Sequence, residues 1–294
     1  MKQPVFSGVA TALVTPFSGG RIDWSALDGL LERQLAAKIP ALVLAGTTGE
    51  ASTLSAEEKS ALWWHCADYV RSRAVLIAGV GTNDTAASVR LARLASDCGA
   101  DALLAVTPYY NKCTQDGLAV HYTTIADATA LPLILYNVPG RTGVNLLPET
   151  ARRLSAHPRI AGLKEASGSI SQAAKVKALC GEAFSVWSGN DDQTVPMLSL
   201  GADGVISVLS NLLPGQTLAM VRAAQQGDRA GAAALQLALL PLIEALFCRV
   251  NPIPVKAALA LRGLCKNELR LPLTPMPLEE ARPLFSELLE QTDA

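Results

Sequence analysis

Short apolar runs alternate with longer stretches of helical period from the N-terminus to about residue 228. The runs are Val9–Val14, Ala41–Ala45, Val75–Val80, Ala102–Val106, Leu133–Val138, Ile160–Glu165, Phe184–Trp187 and Gly204–Val208. Each is short and rich in Val, Ile, Leu or Ala, the pattern of strands covered on both faces. Between them, Trp24–Lys38, Ala56–Arg71, Thr85–Cys98 and Leu118–Thr129 read as amphipathic helices. Ser55-Ala56-Glu57-Glu58 has the capping-box pattern, and Pro148 and Pro214 suit a first helical turn. Eight strand–helix units over roughly 220 residues have the number and size of a closed (β/α)8 TIM barrel. A doubly wound open sheet shares the alternation and is the competing fold. Gly79-Val80-Gly81-Thr82-Asn83-Asp84 lacks the third glycine of a dinucleotide loop and reads as a tight turn. Beyond residue 228 the strands stop, and Ala230–Val250, Pro254–Gly263 and Leu278–Gln291 read as helices. The expected organisation is α/β: a barrel over residues 1–228, then a C-terminal helical appendage over 229–294.

Half of the 294 residues are hydrophobic and 17% are charged, ample material for a core and too little polarity for disorder. The 25 Lys and Arg against 26 Asp and Glu leave a net charge of −1, which argues against nucleic-acid and polybasic membrane partners. Met1-Lys2-Gln3-Pro4-Val5-Phe6-Ser7-Gly8 has no apolar h-region before a small-residue cleavage site, so no secretory signal is read. Gln236, Pro241 and Glu244 interrupt the apolar stretch Ala230–Phe247, which therefore reads as falling short of a membrane span. Cys66, Cys98, Cys113, Cys180, Cys248 and Cys265 are scattered, with no CxxC pair, and His65, His121 and His157 complete no zinc spacing. A soluble cytoplasmic protein with reduced thiols and no metal is the expectation.

In a parallel barrel the chemistry sits at the C-terminal ends of strands. There the chain reads Gly46-Thr47-Thr48-Gly49-Glu50, Thr107-Pro108-Tyr109-Tyr110-Asn111, Tyr136-Asn137-Val138-Pro139-Gly140-Arg141, Lys164-Glu165-Ala166-Ser167-Gly168 and Ser188-Gly189-Asn190-Asp191-Asp192. Alternation puts Lys164 on one face with Gly162 and Ala166, two small neighbours that leave room beside it. A lysine turned into a barrel is relieved by losing its proton, well below the ordinary value of about 10.4, and a neutral amine attacks ketones to form a Schiff base. By strand position alone, a lysine snorkelling to water or paired with a carboxylate is the commoner outcome. The neighbouring strand ends tip the balance. Tyr136 offers a proton donor and acceptor on the adjacent strand, although a buried tyrosine is often a core filler. Thr47 and Thr48 lie in a turn able to receive a small carboxylate, and the Arg141 fork suits a second one.

GTTGE (46–50), TPYYN (107–111), YNVPGRTG (136–143), KEASG (164–168), SGNDD (188–192) and GVISV (204–208) resemble, in order and spacing, the dihydrodipicolinate synthase family. That family lies within the pyruvate-dependent class I aldolases, which include N-acetylneuraminate lyase. The resemblance covers essentially the whole chain, and the double threonine with YNVPGRTG carries most of its specificity. It implies condensation of pyruvate with L-aspartate 4-semialdehyde on the route to diaminopimelate and lysine. Lys164 would form the imine, with the pyruvate carboxylate on Thr47 and Thr48. Thr47, Tyr136 and Tyr110 match a proton relay, and Arg141 matches the residue that binds the semialdehyde carboxylate. Gly189 and Ile206 match positions lining the pyruvate pocket. The resemblance further implies no cofactor and a homo-oligomer, with Tyr110 reaching a neighbouring subunit's site in a dimer and a dimer of dimers as the usual form. Where lysine-inhibited members carry histidines or a glutamate, this chain has Ala56, Lys59 and Ala87, while Asn83 and Tyr109 are retained; weak or absent feedback by L-lysine is the expectation. Another pyruvate aldolase, or a non-catalytic ligand-binding barrel, is the competing function.

Overall fold

The structure is a computed structural model describing residues 4–293; Met1–Gln3, where the reading of the N-terminus begins, and Ala294 lie outside the described residues. Eight strands form the barrel: β1 Gly8–Ala12, β2 Ala41–Leu44, β3 Val75–Gly79, β4 Ala102–Val106, β5 Leu133–Asn137, β6 Ile160–Glu165, β7 Ser185–Ser188 and β8 Gly204–Ser207. All neighbours pair in parallel, and β8 closes on β1 through Gly8 opposite Gly204 and Val9 opposite Val205. A closed ring excludes the doubly wound sheet.

Alternating residues of each strand enter two separate cores. Ala10, Val43, Ile77, Leu104, Ile134, Trp187 and Ile206 fill the barrel interior, whereas Val9, Leu42, Leu76, Leu103, Leu135, Leu163, Val186 and Val205 face the helices. Both faces being dry, the strands read as unbroken apolar runs. Phe6 stacks on Trp187 with ring centroids 4.8 Å apart and accepts the indole N–H on its carbonyl, plugging the barrel axis.

The expected helices form, with the Ser55 capping box in place and Pro148 and Pro214 in the first turns of their helices. Two boundaries move for reasons of capping. The first strand ends at Ala12 rather than Val14, because the Val14 N–H turns to the Asn211 side chain. The helix expected from Leu118 starts at Gln115, where the Thr114 hydroxyl accepts the Gly117 N–H. A small hairpin, Phe17–Ser18 with Arg21–Ile22 around Gly19-Gly20, was not anticipated: two-residue strands carry no readable period.

The helix Arg229–Leu246 passes through Pro241 without a break and is long and apolar enough, by length and composition, to cross a membrane. Here it packs on the helix Pro214–Gln225, and its buried Gln236 bonds to the backbone of Val195 and Asp191. The helices Ile253–Leu261 and Leu278–Asp293 follow.

One charged knot fastens this C-terminal region to the barrel mouth. Lys256, fully buried, pairs with the buried Glu50 at the end of the GTTGE loop and donates to the Glu268 carbonyl at 2.9 Å. The Arg270 N–H donates to the same Glu50 carboxylate, and the Arg270 guanidinium grips Glu58 with bonds of 2.7 and 2.5 Å. The Phe17 ring of the hairpin lies beneath both cations, 4.2 Å from the Lys256 amine and 4.4 Å from the Arg270 guanidinium.

The Arg270 hydrogen bond holds Glu58 down from 4.5 to about 2. A carboxyl depressed by folding adds stability that is fully present above pH 4.5 and is lost as the pH falls towards 2. Arg270→Ala is therefore expected to melt below the wild type at pH 7. The gap should narrow through the acid range, as thermal melts of both proteins across pH would show.

Candidate active site

Strand β6 sets the position of the lysine. Its pairing with β5 slips by one residue near the start, from Leu133 opposite Ile160 to Ile134 opposite Gly162. Because strand side chains alternate, that slip changes which parity faces inward. Gly162 and Lys164 thereby turn to the interior, and Lys164 comes level with Tyr136 on one side and Trp187 on the other. Lys164 is 6% exposed, and its amine sits 4.2 Å from the centroid of the Tyr136 ring. The room expected at Gly162 is not pocket: Trp187 occupies it, and an added Cβ would stand 2.8 Å from the indole and 2.3 Å from the Ser185 carbonyl oxygen. Gly189 does leave space at the lysine, since a Cβ there would meet Ala166 at 2.6 Å and the Lys164 Cε at 3.0 Å.

The tip of Lys164 reaches a small cavity of about 60 Å3 that is also lined by Thr47, Thr48, Tyr136, Arg141 and Gly189. Space on this scale admits a molecule of a few heavy atoms. The threonines reach it because the chain breaks off β2 sharply. Ala45 takes a left-handed φ of 50°, and its carbonyl presses where a side chain on Gly79 would be, 2.1 Å from a notional Cβ. Gly81 likewise lies against the Val106 N–H. The Gly79–Gly81 pair thus serves close packing of strand ends, as a tight turn should. Backbone held in a sparse region beside a polar cavity is a hallmark of functional sites.

Arg141 belongs to the short helix Pro139–Thr142, whose Thr142 hydroxyl accepts from Thr107 at 3.0 Å and ties the turn to β4. The guanidinium is exposed and donates to the Asn251 carbonyl at 3.3 Å. Outside the ring of strands, Glu165 accepts hydrogen bonds from Asn137, Ser167 and Gln172, which clamps the end of β6. Asp191 is wholly buried beyond Gly189, where its carboxylate accepts the Val208 and Leu209 N–H groups. Burial raises its pKa, against the pull of those bonds and of the Lys164 charge.

Two sequence candidates stand elsewhere. Tyr110 sits at the tip of the loop after β4 with φ 72° and 91% of its surface exposed, and it lines neither this cavity nor the larger one beside it. Ile206 is buried in the barrel interior and does not line the cavity. The larger space, about 410 Å3, shares Thr47, Tyr136 and Arg141 and extends to Tyr109 and Lys59. Lys59 is buried with no carboxylate partner among the described residues, and burial lowers its pKa. Ala56, Ala87 and Asn83 do not line that space.

Sequence reasoning passed over Phe247 and Asn251, which both line the small cavity. They come from the C-terminal helical region, so that region forms part of the site rather than an appendage to it. Asn251 donates its amide N–H to the Thr48 hydroxyl at 2.9 Å. No strand end flags either residue, and the buried Lys256 opposite Glu50 at the loop's end is visible only in the fold.

Known proteins match this chain along nearly its whole length. The sequence model of the Dihydrodipicolinate synthetase family matches residues 5–292. The 4-hydroxy-tetrahydrodipicolinate synthase of Alkaliphilus oremlandii is 47% identical over 287 residues, which is 98% of this chain and 99% of the relative. That of Geobacter sulfurreducens is 50% identical over 272 residues, covering 92% and 94%. The crystal structure of dihydrodipicolinate synthase from Thermotoga maritima superposes with a TM-score of 0.96 at 43% identity, covering 98% of this chain and 99% of that one. A Cyanidioschyzon merolae counterpart, solved with lysine bound, superposes at 0.95 with 36% identity over 99% of both chains.

Proposed function

The chain belongs to the dihydrodipicolinate synthetase family, and we infer that it condenses pyruvate with L-aspartate 4-semialdehyde to 4-hydroxy-tetrahydrodipicolinate in lysine biosynthesis. The observation that carries the mechanism is a buried lysine, level with a tyrosine on the adjacent strand, facing a small cavity bordered by two threonines. Lys164 attacks the pyruvate carbonyl carbon and expels water, forming an imine. The imine nitrogen then accepts electrons as a methyl proton leaves, so no cofactor enters the scheme. The resulting enamine carbon bonds to the aldehyde carbon, whose oxygen takes a proton. Attack of the semialdehyde amine on the imine carbon closes the ring and releases the lysine.

The other groups take roles by their chemistry. Thr47 and Thr48 hold the pyruvate carboxylate, and Tyr136 with Thr47 moves protons between the imine and the incoming aldehyde. Gly189 leaves the room that the bound keto acid needs, and Ile206 supports the pocket from the core. Arg141, exposed at the mouth, takes the carboxylate of the semialdehyde. Tyr110 completes the relay in a neighbouring copy: its near-total exposure on a left-handed turn suits a side chain held by a partner. The working form in this reading is a homo-oligomer, built as a dimer of dimers, in the cytoplasm.

Incubation with pyruvate and borohydride should add a reduced pyruvate unit to Lys164 by peptide mass, and Lys164→Ala should take none. An unlabelled wild type would sink the reading. A coupled assay with pyruvate and the semialdehyde should give product, whereas N-acetylneuraminate should not be cleaved.

Loss of a charge-assisted contact of this kind weakens binding by roughly ten- to a hundredfold. Arg141→Ala should raise the semialdehyde KM by that amount while the borohydride-trapped pyruvate adduct still forms.

Lys59, an uncompensated cation near Tyr109, disfavours a cationic effector in the large space. Feedback by L-lysine is expected to be weak or absent in steady-state assays. Half-maximal inhibition below millimolar lysine would show otherwise.

A further inference from the structure

Thr48 has one hydrogen to give, and its oxygen already has a donor. The Asn251 Nδ2 lies 2.9 Å from the Thr48 Oγ1, and Thr48 makes no other side-chain hydrogen bond among the described residues. A hydroxyl that accepts from a fixed amide keeps its own proton free for a different acceptor. Thr48 is buried and lines the small cavity at the tip of Lys164, so that acceptor lies in the cavity.

Asn251 is itself held rigidly. Its main-chain carbonyl accepts from Arg141, and the helix that begins two residues later is anchored by the buried Lys256–Glu50 pair. The loop carrying Thr48 and the segment carrying Asn251 are therefore tied twice, once through Glu50 and once through Thr48. One feature speaks against a mere packing role. The Asn251 Oδ1 is buried without a hydrogen-bond partner, a cost that an apolar side chain of similar size would avoid.

We propose that Asn251 is a positioning residue for the keto acid: its amide nitrogen occupies the Thr48 oxygen and so aims the Thr48 hydrogen at the pyruvate carboxylate. The assignment rests on the cavity being the pyruvate pocket. It acts on one substrate only, because the contact to Arg141 is made by the main chain and survives any change of side chain.

The test is steady-state kinetics on the intact enzyme with Asn251→Ala, Asn251→Asp, Thr48→Ala and the double variant N251A/T48A. Asn251→Ala should raise the pyruvate KM about tenfold, the cost of one misdirected hydrogen bond to a charged group. The semialdehyde KM and the melting temperature should stay near wild type. On the Thr48→Ala background the Asn251→Ala effect should vanish, since the two residues act as a unit. Asn251→Asp, whose carboxylate would accept the Thr48 hydrogen and reverse the bond, should raise the pyruvate KM further. Equal rises in both KM values, an additive effect in the double variant, or a wild-type pyruvate KM in Asn251→Asp would each overturn the proposal. Should Asn251→Ala fail to fold, the Asn251→Asp result alone decides. Borohydride trapping of pyruvate on the wild type separates the two claims. Without trapping the pocket assignment falls, whereas trapping with unaltered variants removes only the role of Asn251.

Discussion

A closed parallel barrel packs its interior in a few layers to which alternate strands contribute, so every inward polar group displaces packing that would otherwise stabilise the ring. The protein meets this constraint by stacking its interior by polarity. Phe6 and Trp187 stack inside the ring, small and branched residues fill the rest of the interior, and Lys164, opposite Tyr136 and Trp187, stands one residue from the end of its strand. The amine lies against the Tyr136 ring, an apolar body with a polar tip, and so meets a dry wall beside a hydroxyl. The one-residue slip between β5 and β6 makes this possible. Without it, the parity of β6 would send Lys164 towards the helices and Leu163 into the site.

The mouth is shaped by tension between strand ends and the C-terminal helices. Left-handed backbone at Ala45 and Glu50 brackets the threonine loop, and such conformations persist only where the surroundings enforce them. The enforcing contacts are Gly79 on the inside and the buried Lys256 on the outside. Breaking a buried ion pair of this sort leaves an uncompensated charge, which costs about 3–5 kcal/mol. The chain past residue 228 thus clamps the loop that carries Thr47 and Thr48, and through Asn251 and Phe247 it also walls the cavity.

Electrostatically the site separates its jobs by exposure. Lys164 and Thr48 are buried, where a hydrogen bond has most effect, while Arg141 stands in solvent at the rim. A rim arginine draws and orients an anion without having to pass through the desolvation that burying a guanidinium would require.

The amino-acid sequence by itself determined the fold class, because strands covered on both faces leave unbroken apolar runs whose number and spacing admit few architectures. It also marked the polar strand ends, including Lys164, Tyr136, Thr47, Thr48, Arg141 and Gly189, which the chain gathers around one cavity. Local pattern could not show that Gly162 makes room for Trp187 rather than for a ligand, since that depends on the register of the neighbouring strand. Nor could it show that Ile206 lies in the core behind the cavity, or that Tyr110 stands clear of its own chain's site. Asn251 and Lys256 were invisible for the plainest reason: they meet Thr48 and Glu50 across 203 and 206 residues of chain, and only closure of the ring brings such distant segments into hydrogen-bond range.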